Sequence, residues 1–213
     1  RQKKVKFMRR IVLLAVTLFL GRGILAEGAW ASQPDAATKL VQDVSQRMLS
    51  TLEKRRADVE RDPSLIFGLV DQIVVPHFDF EKITQSAVGQ HWKDASSEQR
   101  KALANGFREV LIRTYAKALL NYSGQDIRYL PVKPGQREAT VTVPTEVRER
   151  GGPVVPVDYR MYEKNGKWLV YDLVIDNVSL IANYRSSFNT EIRRDGIDGL
   201  IRRLGQMNQK GEV

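Results

Sequence analysis

The stretch that decides the fold is VVPHFDFEKITQSAVGQHWKDASSEQRKALANGFREVLIRTYAKALLNYSG, residues 74–124. Its second half predicts one long helix. Ser96 is a good N-cap and Gln99 completes a capping box, after which apolar side chains recur at three- and four-residue spacing. Gly124 is expected to end this helix. An apolar face this wide needs a packing partner of similar size, and the segment that follows supplies one.

The segment after this helix changes from helical spacing to the alternation of a sheet. The runs 127–132, 139–147, 155–161 and 168–175 predict four antiparallel strands, and Asn165-Gly166 predicts a type I′ hairpin turn between the last two. We therefore expect an α+β fold in which residues 32–124 are mostly helical, 125–176 form the sheet and 177–210 are helical again. Gly196 is expected to interrupt the last helical part.

Two prolines, Pro144 and Pro156, fall in neighbouring predicted strands. Neither can donate to a strand ladder, so each belongs at an edge or at a bulge. One interpretation is a bend that lets a single sheet curve around the helices and leave a hollow. The other is a pair of edge prolines with no structural consequence.

The chain begins with an export-like segment. Met8 is where we expect translation to start, and an apolar run at 11–20 is too short to span a bilayer. The A-x-A pattern at 29–31 then predicts a secretory signal peptide, residues 1–31, cleaved after Ala31. An uncleaved anchor is the alternative, which Arg22 directly after the run disfavours. Residues 32–213 are expected to form a single domain.

The amino-acid composition excludes cysteine chemistry and argues against a nucleic-acid partner. The sequence contains no cysteine, which excludes disulfides, a thiol nucleophile and an acylated cysteine within it. Removing residues 1–31 would leave 27 Lys and Arg against 24 Asp and Glu, a net charge of +3. So small a charge without basic clusters predicts no nucleic-acid partner.

Motifs of catalysis and metal binding are missing from the sequence. His77 and His91 have no second ligand at a metal-binding spacing, and no nucleophile elbow or phosphate-binding loop is found. Asp172, in the apolar run WLVYDLVI, is the most unusual charge. It could be a general base with a raised pKa, or it could bond to a backbone N–H or an arginine. We favour the structural role and predict no catalytic residue and no metal site.

The combination of these elements resembles the MlaC family, also called toluene-tolerance or organic-solvent-tolerance auxiliary proteins. In the first half the matching residues are Pro76, Asp79, Gly89, Trp92, Glu98, Gln99, Arg100 and Tyr115. In the second half they are Trp168, Tyr171, Asp172, Val178, Ser179, the run YRSSF at 184–188 and the run GIDGL at 196–200. The one departure is Val88, where the family usually has Leu before Gly.

This resemblance implies an NTF2-like α+β fold, with a curved antiparallel sheet packed against several helices, a long central helix and C-terminal helices. It implies a periplasmic phospholipid carrier that shuttles lipid between membranes to maintain outer-membrane lipid asymmetry. The implied partners are an outer-membrane lipoprotein–porin complex and an inner-membrane ABC transporter with an MCE-domain subunit. It further implies no enzymatic activity and no cofactor besides the lipid cargo, and we expect a monomer.

A lipid carrier needs a dry cavity between sheet and helices, lined by aliphatic and aromatic groups. Each residue alone could equally be ordinary core, but as a set we predict these walls: Leu69, Ile73, Phe107, Leu111, Tyr115, Val141, Val143, Val157, Tyr159, Met161, Tyr171 and Leu173.

Two other classes of function stay open at this point. An NTF2-like enzyme acting on a hydrophobic small molecule would need a polar group deep in the cone, for which Asp172 is the candidate. A periplasmic chaperone or adaptor would expose its apolar surface instead of enclosing it.

Overall fold

A computed structural model describes residues 27–120, 126–135, 137, 139–148 and 153–210 of the 213-residue chain, with side chains from residue 35 to 209. The chain divides into two compact units, Arg1–Ala36 and Ala37–Val213. The described residues of the first unit are helical, and the features below belong to the second. The predicted signal peptide falls mostly on residues 1–26, outside the described part.

Along the described sequence, helices come first and last, and the strands lie between them. The helices are α1 Glu27–Lys54, α2 Arg56–Arg61, α3 Leu65–Ile73, α4 Phe80–Val88, α5 Ser97–Leu120 and α6 Leu180–Lys210, with short 3₁₀ turns at Val75–His77 and Gly89–Trp92. None of the helices within the described residues combines the length and the apolar character needed to cross a bilayer.

The long helix α5 begins as predicted. The backbone N–H of Gln99 donates to the Ser96 hydroxyl at 3.2 Å, and the Ser96 N–H donates back to the Gln99 side chain at 3.0 Å. These reciprocal bonds are the capping box, which satisfies two otherwise unpaired donors at the helix start. The predicted stop at Gly124 lies outside the described residues.

The sheet is antiparallel and open. Its strands are β1 Asp126–Tyr129, β2 Lys133–Pro134, β3 Thr140–Arg148, β4 Val154–Lys164, β5 Lys167–Ile175 and β6 Val178–Ser179. In the described residues the order is β1-β3-β4-β5-β6, with β2 also pairing β3. The four predicted strands correspond to β1, β3, β4 and β5. Asn165 and Gly166 both have positive φ, 53° and 74°, as a type I′ turn requires.

The two prolines do not form a bulge in the ladder between β3 and β4, so the bulge that the bend interpretation allowed for is absent from this pair of strands. Strands β3 and β4 pair without interruption through Pro144 and Pro156. The Pro144 carbonyl accepts from Leu130 N–H and the Pro156 carbonyl from Asp176 N–H. Because the N–H and C=O of a strand residue face the same neighbour, each proline nitrogen faces a position just past the end of the adjacent strand. The missing donors therefore fall where the ladders end.

The irregularity of the sheet lies instead between β4 and β5. Arg160 pairs with Asp172, whereas Met161 pairs with Val170, so Tyr171 is an extra residue in β5. An extra residue of this kind is a β-bulge, which increases the local twist. It also changes the parity of β5, because Val170 lies on the same face as Leu173 and Ile175 although its residue number is even.

Helices α4, α5 and α6 share one apolar cluster. At its centre the ring of Phe107 meets the rings of Tyr184 and Phe188 edge-on, each at a centroid distance of 4.8 Å. The helix α6 is broken at Gly196, whose φ of 71° and ψ of −178° suit glycine alone. The predicted interruption at Gly196 is thus confirmed.

The start of α4 is tied to the sheet through Asp79. Its carboxylate accepts from the Lys82 N–H at 2.9 Å, from the Tyr162 hydroxyl and from Lys164 Nζ at 3.3 Å. Burial opposes ionisation of the carboxyl, but these donors and the lysine charge outweigh it, so the pKa of Asp79 is lowered. Asp79 is thus the N-cap of α4, and its carboxylate also joins the β4–β5 hairpin to that helix.

Candidate functional site

A cavity of about 480 Å³ lies between one face of the sheet and the helices. This volume is within the range of small-molecule sites. The sheet contributes Ile127, Val147, Val155, Val157, Tyr159, Met161, Val170, Leu173 and Ile175. These side chains share one face because directly opposed residues of antiparallel strands point the same way. The sheet wall is therefore a continuous apolar surface.

The helices provide the opposite wall. Helix α1 contributes an amphipathic face, and α5 contributes its second half. The principal lining residues are Leu40, Val41, Val44, Met48 and Leu49 of α1, and Leu111, Ile112, Tyr115, Ala116 and Leu119 of α5. Phe78 and Phe80, at the start of α4, also line the cavity and stack on each other at a centroid distance of 5.9 Å.

Half of the wall residues predicted from the sequence line this cavity. They are Leu111, Tyr115, Val157, Tyr159, Met161 and Leu173. The structure thus brings together predicted positions from α5, β4 and β5.

The other six predicted residues lie outside the lining, in three different surroundings. Leu69 and Ile73 pack among helices α1, α3 and α5, and Phe107 packs against aromatic rings of α6. Val141 and Val143 do face the same side of the sheet, but α1 covers them. Tyr171 is the extra residue of the bulge, and its ring meets Tyr162 at 6.0 Å. Alternation through an undisturbed strand would point Tyr171 inward, and the bulge replaces it with Val170.

The α1 wall is the part that sequence reasoning missed. The spacing of Leu40, Val44 and Met48 predicts an amphipathic helix, and that helix is present. Helical spacing shows which residues share the apolar face but not that α1 packs on the sheet, so it could not assign this face to the cavity.

The few polar groups in the lining are paired or neutral. The Ser45 hydroxyl shares hydrogen bonds with the Tyr159 and Tyr129 hydroxyls, linking α1 to the sheet. Burial raises the pKa of Tyr159 and of Tyr115 to about 12, so both stay neutral at physiological pH. Burial, followed by the nearby charge of Arg47, lowers the pKa of His77, which favours its neutral form. These side chains therefore favour an uncharged cavity lining.

Asp172 has the structural role favoured from the sequence. One carboxylate oxygen accepts from Arg160 at 2.9 Å and from the Ser179 hydroxyl at 2.7 Å; the other accepts from the Ile181 N–H at 3.3 Å. Ser179 also caps α6, since its hydroxyl accepts from the Ala182 N–H. The carboxylate thus fixes the start of α6 against β5.

Within the described part of the chain, no three His, Asp or Glu side chains are grouped so that they could hold a metal ion.

Comparison with known proteins gives relatives over most of the chain. The family model described as MlaC protein matches residues 42–206. The intermembrane phospholipid transport system binding protein MlaC of Haemophilus influenzae is 26% identical over 171 residues, 78% of this chain and 79% of that protein. The toluene tolerance protein ttg2D of Pseudomonas putida is 24% identical over 160 residues, 75% of this chain and 74% of that protein.

One solved structure is similar to this chain in both fold and sequence. It is the phospholipid-binding protein from Ralstonia solanacearum in complex with a phospholipid, with a TM-score of 0.75 and 33% identity, covering 82% of this chain and 98% of that one. The chain belongs to the MlaC family.

Proposed function

We propose that this protein is a phospholipid-binding carrier that holds the acyl chains of its cargo in the cavity between sheet and helices. The observation that carries the proposal is the continuous aliphatic and aromatic lining of a cavity of about 480 Å³. The relatives described as a phospholipid transport binding protein and as a phospholipid complex support the same role.

The energetics of lipid transfer explain why such a cavity is needed. Two acyl chains contain about thirty methylenes, and each costs roughly 0.8 kcal/mol in water. A free phospholipid crossing an aqueous compartment would thus cost on the order of 20 kcal/mol. A wall of apolar side chains offsets most of this cost, whereas the headgroup can stay hydrated and needs no dedicated binding groups.

The wider role follows the family resemblance. We propose a periplasmic shuttle, exported by a cleaved signal peptide, that exchanges lipid with an outer-membrane lipoprotein–porin complex and an inner-membrane ABC transporter carrying an MCE-domain subunit. It acts as a monomer and maintains outer-membrane lipid asymmetry. Catalysis is not part of the proposal, because the acidic group in the lining, Asp172, already accepts three hydrogen bonds.

Native mass spectrometry with lipid extraction, on protein purified without detergent, tests the central claim. We expect the protein to carry a mass increment that is released as phospholipid. Protein that is folded but free of lipid, and that takes up none from vesicles of phosphatidylethanolamine and phosphatidylglycerol, would contradict the proposal. Strong binding of a dye for exposed apolar surface by that lipid-free protein would then favour a chaperone.

A further inference from the structure

Basic side chains from the sheet and from α4 come together beside the turn between β4 and β5. Lys164 and Lys167 flank Asn165-Gly166 and lie directly opposite each other, an arrangement of like charges that destabilises a hairpin. The Lys82 ammonium group of α4 lies 3.4 Å from the centre of the Tyr162 ring, two residues before Lys164 in β4. Three positive charges are therefore gathered at this end of the sheet.

The loop between β2 and β3 brings a further cation, Arg137, to the same place. The Arg137 N–H donates to the Thr140 hydroxyl at 3.2 Å, and the Arg137 carbonyl accepts from that hydroxyl at 2.6 Å. Ala139 in this loop has a φ of 56°, a strained value for a residue with a side chain. Burial lowers the pKa of Lys82, and the charge of Arg137 lowers it further, so these two cations lie close together.

Neighbouring carboxylates offset only part of this positive charge. The Asp79 carboxylate pairs with Lys164 Nζ at 3.3 Å, and Glu81 lies in the first turn of α4. Glu163, next to Lys164 in β4, points to the other face of the sheet. The basic hairpin surface is defined as Lys82, Arg137, Lys164 and Lys167. Its four positive charges against the two negative charges of Asp79 and Glu81 leave a net charge of +2.

The chemistry of the basic hairpin surface suits an acidic protein segment better than a bilayer. Surfaces that bind bilayers combine basic side chains with exposed apolar ones. Among the described residues the large apolar side chains that are exposed are Leu120, Val154 and Val178, and none of them belongs to this surface. Val154 begins β4, whereas Lys164 ends it. An acidic segment needs only carboxylates that pair with ammonium and guanidinium groups, and this surface offers both.

We propose that the basic hairpin surface is a docking site for an acidic segment of a partner protein, whose aspartate and glutamate side chains pair with its four cations. Complementary charge speeds the encounter of two proteins, and ion pairs between exposed groups are weak and screened by salt. Such a partner is therefore captured quickly and released easily. The site is independent of the proposed cargo, because its residues do not line the cavity.

Two double charge reversals test the surface. The hairpin variant, Arg137→Glu with Lys167→Glu, reverses two exposed cations of the surface but keeps the ion pair that holds the hairpin to α4. The α6 variant, Arg202→Glu with Arg203→Glu, is the matched control, because it changes the net charge equally at exposed positions elsewhere. The probe is a fluorescein-labelled octaglutamate peptide, and its binding is measured by fluorescence anisotropy.

We expect the parent to bind the peptide and to lose affinity as the salt concentration rises from about 50 to about 200 mM. At about 100 mM salt, charges more than about 10 Å away are screened, so the hairpin variant should bind about tenfold or more weakly and the α6 variant less than about twofold. Thermal unfolding checks that both variants are folded. Equal weakening by the two variants, or a parent that does not bind the peptide, would overturn the site.

Cross-linking locates the peptide on the unsubstituted protein. A carbodiimide joins a carboxylate of the peptide to a lysine amine that it contacts, and the lysines attached should be Lys82, Lys164 or Lys167. Attachment spread over other exposed lysines, such as Lys39 and Lys101, would contradict the proposal. Phosphatidylglycerol vesicles that bind the parent but not the hairpin variant, without cross-linking of the peptide to these lysines, would assign the surface to a bilayer and overturn the protein partner.

Discussion

Filling the cavity with Val157→Trp should abolish phospholipid binding while the protein stays folded. Val157 is in the middle row of the sheet wall, opposite Ile175, and its half-buried side chain faces open cavity. An indole ring at this position would occupy space that we assign to an acyl chain. Because that space is empty of protein atoms, the added ring should fit with little overpacking.

The expected loss of lipid affinity can be estimated from the number of acyl-chain carbons that the indole ring displaces. Tryptophan adds about seven heavy atoms to valine, and each methylene excluded from the apolar cavity forgoes roughly 0.8 kcal/mol. The loss of about 5 kcal/mol corresponds to a decrease in affinity of roughly four orders of magnitude. Even if half of the displaced chain finds other apolar contacts, the decrease is still on the order of a hundredfold.

The assay combines lipid extraction from protein purified without detergent with a thermal unfolding curve. We expect Val157→Trp to contain no phospholipid and to unfold cooperatively. Val154→Trp, the same change at an exposed position on the other face of the sheet, should retain the lipid. A full complement of phospholipid in folded Val157→Trp would refute the assignment of this space to the acyl chains.

Three further changes test how the cavity walls are held in place. Asp172→Asn removes a buried charge that accepts three hydrogen bonds, so urea unfolding should show a loss of about 2 kcal/mol or more; an unchanged free energy of unfolding would argue against its anchoring role. Gly196→Ala places a side chain at φ 71° and should cost about 1–3 kcal/mol, whereas Gly205→Ala in a regular part of α6 should be neutral or stabilising. Tyr162→Phe removes a donor to the Asp79 carboxylate and should lower stability by about 1 kcal/mol at neutral pH. Since the pKa of Asp79 is lowered in the fold, this stabilisation is complete above the carboxyl's ordinary pKa and is lost as the pH falls through the lowered value. Parent and Tyr162→Phe should therefore converge in acid, and a constant difference down to pH 2 would contradict this.

The features predictable from the sequence are those fixed by neighbouring residues. The capping box of Ser96 and Gln99 depends on a three-residue spacing, and the Asn165-Gly166 turn depends on two residues that tolerate positive φ. The carboxylate of Asp79 caps α4 for a similar local reason. Each of these rules needs only a short window of sequence.

The cavity walls were harder to predict because they depend on distant parts of the chain. Val141 and Val143 alternate correctly, but α1 covers them, and no pattern within β3 could indicate this. Tyr171 lies outside the cavity lining for another reason. One extra residue in β5 reverses which of its side chains point toward the cavity. Leu111 and Tyr115 line the cavity because the apolar face of α5 is wide enough to reach both the helical core and the cavity.

Because of the cavity between sheet and helices, the stability of the fold depends on whether a ligand is bound. Side chains that would meet one another in a filled core face empty space here, so the unoccupied protein forgoes part of the cohesion that a domain of this size normally has. A ligand that binds only the native form raises the free energy of unfolding by RT ln(1 + [L]/Kd), where [L] is the free ligand concentration. The ligand-free protein should therefore unfold and be cleaved by proteases more readily than the lipid-bound protein. Cellular proteases would then selectively remove molecules that carry no lipid.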